Sequence, residues 1–149
     1  MDIVFTSQSK RFFYCRDAVC QFVFDRERVP INPFRAFEYF LNDRVEHDRV
    51  REANNALVLR ANELWVFGQQ LADGVLAEVQ LAAQSGKRVR FYSIDPRPEN
   101  IRELDVSELS FEPEVHSASG MTKAQLLDDL TNLLGQHANV VQDPLIEIR

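Results

Sequence analysis

Apolar positions fall into short continuous runs separated by stretches of helical spacing, and their order sets the expected fold. Ile3-Val4-Phe5 predicts a first strand, and Thr6-Ser7-Gln8-Ser9 a polar turn with helix-capping chemistry after it. Phe12, Cys15, Val19, Phe22 and Val23 recur at three- and four-residue spacing, which predicts one helix from Lys10 to Asp25. Val29-Pro30-Ile31-Asn32-Pro33 cannot continue it; two prolines in so short an apolar run predict an edge strand with a sharp exit. Phe34 to Leu41 reads as a short helix. Asp43 and Glu46 have capping-box spacing for the next helix, whose apolar face is Val50, Ala53, Leu57 and Ala61.

Leu64-Trp65-Val66-Phe67, closed by Gly68, predicts a central strand covered on both faces. Asp73 is the expected N-cap of a helix with Val75, Leu76, Val79, Ala82 and Ala83 inward, and Gly86 stands where a left-handed cap is expected. Arg88 to Ile94 alternates as another strand. Strands alternating with helices imply an α/β domain with a short parallel sheet, Ile3–Phe5, Leu64–Phe67 and Val89–Tyr92 being adjacent and parallel. Ser110 to Val115 reads as extended. Thr122 and Gln125 cap a last helix through Leu126, Leu130 and Leu134 that Gly135 closes, and the tail from His137 onward reads as a further strand or an oligomer contact. One domain over 1–149 is the expectation, with 95–149 as a C-terminal extension of weaker pattern.

Composition narrows the partners. The 149 residues carry a formal charge of −6, and residues 101–149 hold three basic against nine acidic side chains, so the whole excess lies in the last third. A duplex nucleic-acid binder needs a basic stripe, and none is present; the expected partners are small molecules or proteins. No run approaches the roughly 20 apolar residues of a membrane span. Met1 to Thr6 lacks the basic and longer apolar regions of a signal peptide, so the expectation is a cytoplasmic protein without membrane contact. Cys15 and Cys20, five apart, fit neither a C-x-x-C motif nor a zinc half-site; His47, His116 and His137 are scattered. Neither a metal site nor a cofactor is expected. G-x-S-x-G and P-loop patterns are absent from the sequence.

In an open parallel sheet the ligand crevice lies beyond the carboxyl ends of the strands. The Thr6–Ser9, Asn32–Phe34 and Gly68–Gly74 loops are expected to converge there. Glu78 lies in the second turn of its helix, about 100° from the centre of the apolar face, so it stands on the border between sheet and solvent. The helix N-terminus favours its ionised form, and a sheltered carboxylate can attack a sugar carbon. A surface glutamate that aids solubility is the competing reading. Asn54 falls among Val50, Leu57 and Ala61, so its amide must find partners; it either ties core loops together or faces a ligand. Ser9-Lys10-Arg11 could draw a phosphate, or be an ordinary solvated helix start.

Four stretches together resemble the nucleoside 2-deoxyribosyltransferase-like superfamily, over about residues 1–94. They are the first strand with its serine-containing turn, the corner Val29 to Phe34, the run Ala53-Asn54-Asn55 through Ala61 to Gly68, and Asp73-Gly74-Val75-Leu76-Ala77-Glu78. The resemblance implies a flavodoxin-like, Rossmann-like three-layer domain and attack on the anomeric carbon of a deoxynucleoside by the glutamate of a G-x-x-x-E helix start, which Gly74 and Glu78 match. With it, the residues give a catalytic set of Glu78 as nucleophile, Asn54 orienting the substrate and Asp73 as either a helix cap or the proton donor, and a substrate pocket lined by Ser7, Ser9, Asn55, Gly68 and Gly74. A family aspartate that protonates the leaving base falls near Asn54, and an asparagine cannot donate a proton as an acid does. The resemblance also implies a homo-oligomer, most simply a dimer. Three functions follow as alternatives: an N-glycosidase or transferase acting on a nucleoside or nucleotide with Glu78 as nucleophile, a non-catalytic nucleotide or sugar-nucleotide binding module, or a structural oligomer using the acidic C-terminal third.

Overall fold

The computed structural model describes residues 1–37 and 44–141, the side chains of 137–141 excepted. Strand β1 spans Ile3–Gln8. A 3-10 turn over Lys10–Cys15 leads into helix α1, Arg16–Asp25. Then come β2 (Val29–Ile31), α2 (Pro33–Ala36), α3 (His47–Arg60), β3 (Glu63–Phe67), β4 (Gln70–Leu71), α4 (Asp73–Gln84) and β5 (Arg88–Tyr92). The C-terminal third holds β6 (Glu103–Leu104), β7 (Ser110–Phe111), α5 (Pro113–Ser119) and α6 (Lys123–Val141).

The main sheet has the order β2-β1-β3-β5-β6. The first four strands are parallel, with Phe5 beside Ile31 and Leu64, and Phe67 beside Tyr92; β6 closes the edge antiparallel to β5. This is the flavodoxin strand order with its last strand reversed. The sheet separates two apolar layers. Val4, Trp65, Phe67 and Tyr92 face α1 through Val19, Phe22 and Val23. Phe5, Leu64, Val66 and Phe91 face Val58 of α3, Val75, Val79 and Ala82 of α4, and Leu126 and Leu130 of α6. Strand alternation sends successive side chains to opposite faces, which is why β3 reads as an unbroken apolar run: all five of its residues are buried. No helix among the described residues is long and apolar enough to cross a membrane.

Several expectations are corrected. β1 does not stop at Phe5: pairing with β3 continues to Gln8, so Thr6, Ser7 and Gln8 are strand residues and only Ser9 caps the turn. The first helix is not continuous, because Phe12 leaves helical geometry and divides it. On α3 the most deeply buried side chain is Val58, outside the expected face. The Gly68–Gly74 segment is not loop throughout. Leu71 is core, and β4 pairs with β7 in a two-stranded parallel sheet.

Only Ser110–Phe111 of the expected extended segment is strand; Pro113, at the first helical position where its missing N–H costs nothing, starts α5. Gly135 does not close the last helix, and His137 to Val141 is helix rather than strand. The Thr122 and Gln125 capping box is formed, by bonds of 2.9 and 3.2 Å, and Gly86 takes its left-handed cap at φ 76°. Asp43, the second half of the helix expected from Phe34 to Leu41, and the tail beyond Val141 lie outside the described residues.

Candidate active site

The order of the sheet reverses between β1 and β3, because the chain runs outward from β1 to β2 on one side and from β3 to β5 on the other. In doubly wound sheets this switch point opens a crevice at the carboxyl ends of the strands. Ser7 lies there, fully buried and opposite Val66 in register. It shares a face of β1 with Phe5, the face covered by α3 and α4. Glu78 of α4 comes over that strand end, and Asn54 of α3 meets it from the neighbouring helix.

Ser7 Oγ donates to Glu78 Oε1 at 2.5 Å, and Asn54 Nδ2 donates to Glu78 Oε2 at 2.6 Å. Each carboxylate oxygen thus has one neutral donor, and three elements far apart in sequence hold one functional group. Burial pushes the Glu78 carboxyl up to about 7, while the bonds from Ser7 and Asn54 lower it and only partly offset burial. The residue as a whole is only half-buried, but its acid group lies under enough protein for desolvation to prevail. Desolvation thus outweighs the pull toward the ionised form expected from the helix N-terminus.

The remaining sequence-derived residues separate into near and far. Asn55, next to Asn54, is half-buried and is not among the groups bonded to the carboxylate. Asp73 is not the N-cap. That position is Ala72, and Asp73 is an exposed residue of the first helical turn. Gly74 follows it, and a side chain there would enter open space. Gly68 ends β3 at φ 114°, a conformation that favours glycine, and its N–H donates to Tyr92 O at 2.8 Å. Ser9 is buried but does not reach Glu78; its hydroxyl donates to Glu112 Oε2 at 2.8 Å.

Two groups escaped sequence reading. Glu112 is buried beside Ser9, with Arg11 Nη1 3.9 Å away and donating to Gln70 Oε1 at 3.1 Å. The Glu-Pro pair could have marked Glu112 as a helix start, but its approach to β1 is a long-range contact. On the opposite face of β1, buried Asn32 donates to Thr6 Oγ1 and Gln8 Oε1, both at 2.9 Å, and accepts from Phe34 N. This network ties the exit of β2 to the end of β1. Among the described residues no group of three or more His, Cys, Asp or Glu could hold a metal ion.

Fold and site together define a flavodoxin-like α/β protein with a raised-pKa carboxylate at its switch point. The chain belongs to the family described as a domain of unknown function, DUF7768, whose model matches residues 7–92, a span that includes Ser7, Asn54 and Glu78 and excludes Glu112. No curated protein matches the chain. Among solved structures it is similar to a 2-deoxyribosyltransferase from the psychrotolerant bacterium Bacillus psychrosaccharolyticus, at 13% identity and a TM-score of 0.47, over 83% of this chain and 95% of that one.

Proposed function

We propose that this protein cleaves or exchanges the N-glycosidic bond of a nucleoside or nucleotide, with Glu78 as the nucleophile. The observation that carries the reading is the Glu78 carboxylate, held at both oxygens by Ser7 and Asn54 at the switch point. Two neutral donors orient an anion without neutralising it, so an oxygen keeps its electron pair for the anomeric carbon. Attack there breaks the bond from carbon to base and leaves a glycosyl ester on Glu78. Water, or a second base, then displaces the carboxylate. A carboxyl near 7 is ionised in a large share of molecules at neutral pH, so the nucleophilic form is available.

In this reading Ser9, Asn55, Gly68 and Gly74 border the crevice, and Asp73 adds negative charge at its rim. The protein works in the cytoplasm as a single-domain subunit of a two-fold dimer; light scattering that shows a monomer at micromolar concentration would count against the dimer. The functional test is incubation with a panel of nucleosides, deoxynucleosides and their monophosphates, with chromatography for free base. Release that disappears in Glu78→Gln supports the reading.

One observation favours a second reading. Both Glu78 oxygens are already engaged within the protein, and the group beside them is an amide, not an acid. A binding module would use the same donors and acceptor to hold a nucleotide or sugar nucleotide without reaction. Calorimetry showing binding of panel members with no base released would favour it.

A further inference from the structure

The inference rests on the reading of Glu78 as nucleophile and narrows its substrate. When a C–N glycosidic bond breaks, the bonding electron pair moves to the ring nitrogen. A neutral base then carries negative charge until an acid protonates it. A base already quaternised at that nitrogen departs neutral and needs no proton.

Among the described residues, the groups that touch the Glu78 carboxylate are a hydroxyl and a carboxamide, and neither is an acid near neutral pH. A carboxyl that attacks as an anion has no proton to give in the same step. Asp73 is exposed, five residues earlier on α4 and so about 140° around the helix from Glu78. Glu112 accepts the Ser9 hydroxyl and faces Arg11, so its oxygen is engaged as an acceptor. The region holds three carboxylates against two cations, Lys10, which is exposed, and Arg11. Asp73, Glu78 and Glu112 lie around the end of β1 and the start of α4, and Arg11 is tied to Gln70 and Glu112.

We infer that the site takes N-glycosides whose aglycone is positively charged in the ground state, of the N-ribosyl pyridinium type, in preference to neutral purine and pyrimidine nucleosides. Glu78 attacks the anomeric carbon, and the bond to the pyridinium nitrogen breaks. Its electron pair cancels the ring charge, and neutral pyridine base leaves. Water then attacks the same carbon, Glu78 is released as a carboxylate, and the surplus proton of water passes to solvent. A cationic ring beside Glu78 also stabilises its ionised, reactive form.

The test uses the full chain with nicotinamide riboside as the pyridinium probe, and adenosine, uridine and their 2-deoxy forms as neutral probes. The expected kcat/KM for nicotinamide release exceeds that for the neutral probes by about a hundredfold or more, the range a missing general acid commands. Asn54→Asp, which supplies a carboxyl beside Glu78, should raise neutral-base release by roughly tenfold or more without a comparable gain on the pyridinium probe. Neutral nucleosides cleaved as fast as the pyridinium would overturn the inference, whether or not the aspartate variant folds; so would a folded Asn54→Asp protein with no gain. Absence of release from every probe would overturn the nucleophile reading itself, a result distinct from cleavage with the wrong preference.

Discussion

Glu78 and Glu63 are carboxylates at opposite ends of the same sheet, and the contrast lies in what surrounds them. Glu63 opens β3 at the amino end. It is 9% exposed, accepts from Arg90 Nε and Trp65 Nε1 at 3.1 Å, and has Arg28 Nε 3.9 Å away. Arg28 itself lies over the Trp65 ring, with its Nε buried and without a hydrogen bond. Glu78, at the carboxyl end, meets only neutral donors among the described residues in its hydrogen bonds. A charge enclosed with opposite charges is a structural tie; a charge enclosed with dipoles alone keeps part of its desolvation penalty, which is the state the proposed nucleophile needs. The chemical group is the same, and the partners assign the role.

The largest effect that would sharpen this contrast is on reaction rate. Glu78→Gln keeps the shape of the side chain and both of its neighbours but removes the anion. Glycosidase turnover should fall by about a thousandfold or more, roughly 4 kcal/mol of barrier at 1.36 kcal/mol per tenfold, with the fold intact by circular dichroism. A loss of only a few-fold would assign the chemistry to another group.

The pH dependence of stability comes next. Glu78 has a folded-state pKa raised from 4.5 to about 7, so between those values the folded protein binds more protons than the unfolded chain. Stability from this group is therefore full below about pH 4.5 and declines as pH rises toward 7, by roughly 2–3 kcal/mol at most. Denaturant titrations of wild type and Glu78→Gln across pH 5 to 8 check the sign: the glutamine variant should gain on wild type as pH rises. A wild type that gains on the variant instead would mean that Glu78 is compensated as Glu63 is. Turnover should move in the opposite sense, rising through pH 7 as the nucleophile ionises.

Glu63→Gln should cost about 2 kcal/mol of stability, because Arg28 loses its counter-charge and Arg90 keeps only that of the more exposed Glu103, while both arginines stay less than a third exposed. Turnover per folded molecule should be unchanged. A large loss of turnover in a folded Glu63 variant would break the division between the two ends. The smallest effect concerns Ser7→Ala, which removes one of two donors to Glu78. The Glu78 pKa should rise by about one unit, the worth of a hydrogen bond to a charged group, read as a shift of the activity profile to higher pH. No shift would mean that Ser7 positions a ligand rather than the carboxylate.

The two ends also differ in how far sequence reasoning reached them. The parallel core strands, the capped starts and ends at Thr122 and Gly86, and the border position of Glu78 all follow from spacing within a few residues. Asp73 as N-cap, the polar turn at Thr6 to Gln8 and the stop at Gly135 were local readings that tertiary pairing overrode. Pairing with β3 carried β1 three residues further, and packing of Leu126 and Leu130 against α4 and the sheet anchors a helix that runs through its glycine.

What the sequence by itself determined is the order of strands and helices, and the faces they bury, because hydrophobic period and turn chemistry act over one or two turns of chain. Which polar groups meet is a property of the folded chain alone. Ser7 and Glu78 are 71 residues apart, Asn54 and Glu78 are 24 apart, and Ser9 and Glu112 are 103 apart. No local signal encodes such pairings. They arise when the sheet takes its β2-β1-β3-β5-β6 order and brings α3 and α4 together over the end of β1. The raised pKa of Glu78 is decided there too, since desolvation depends on what the whole fold places around a carboxyl and not on its neighbours in sequence.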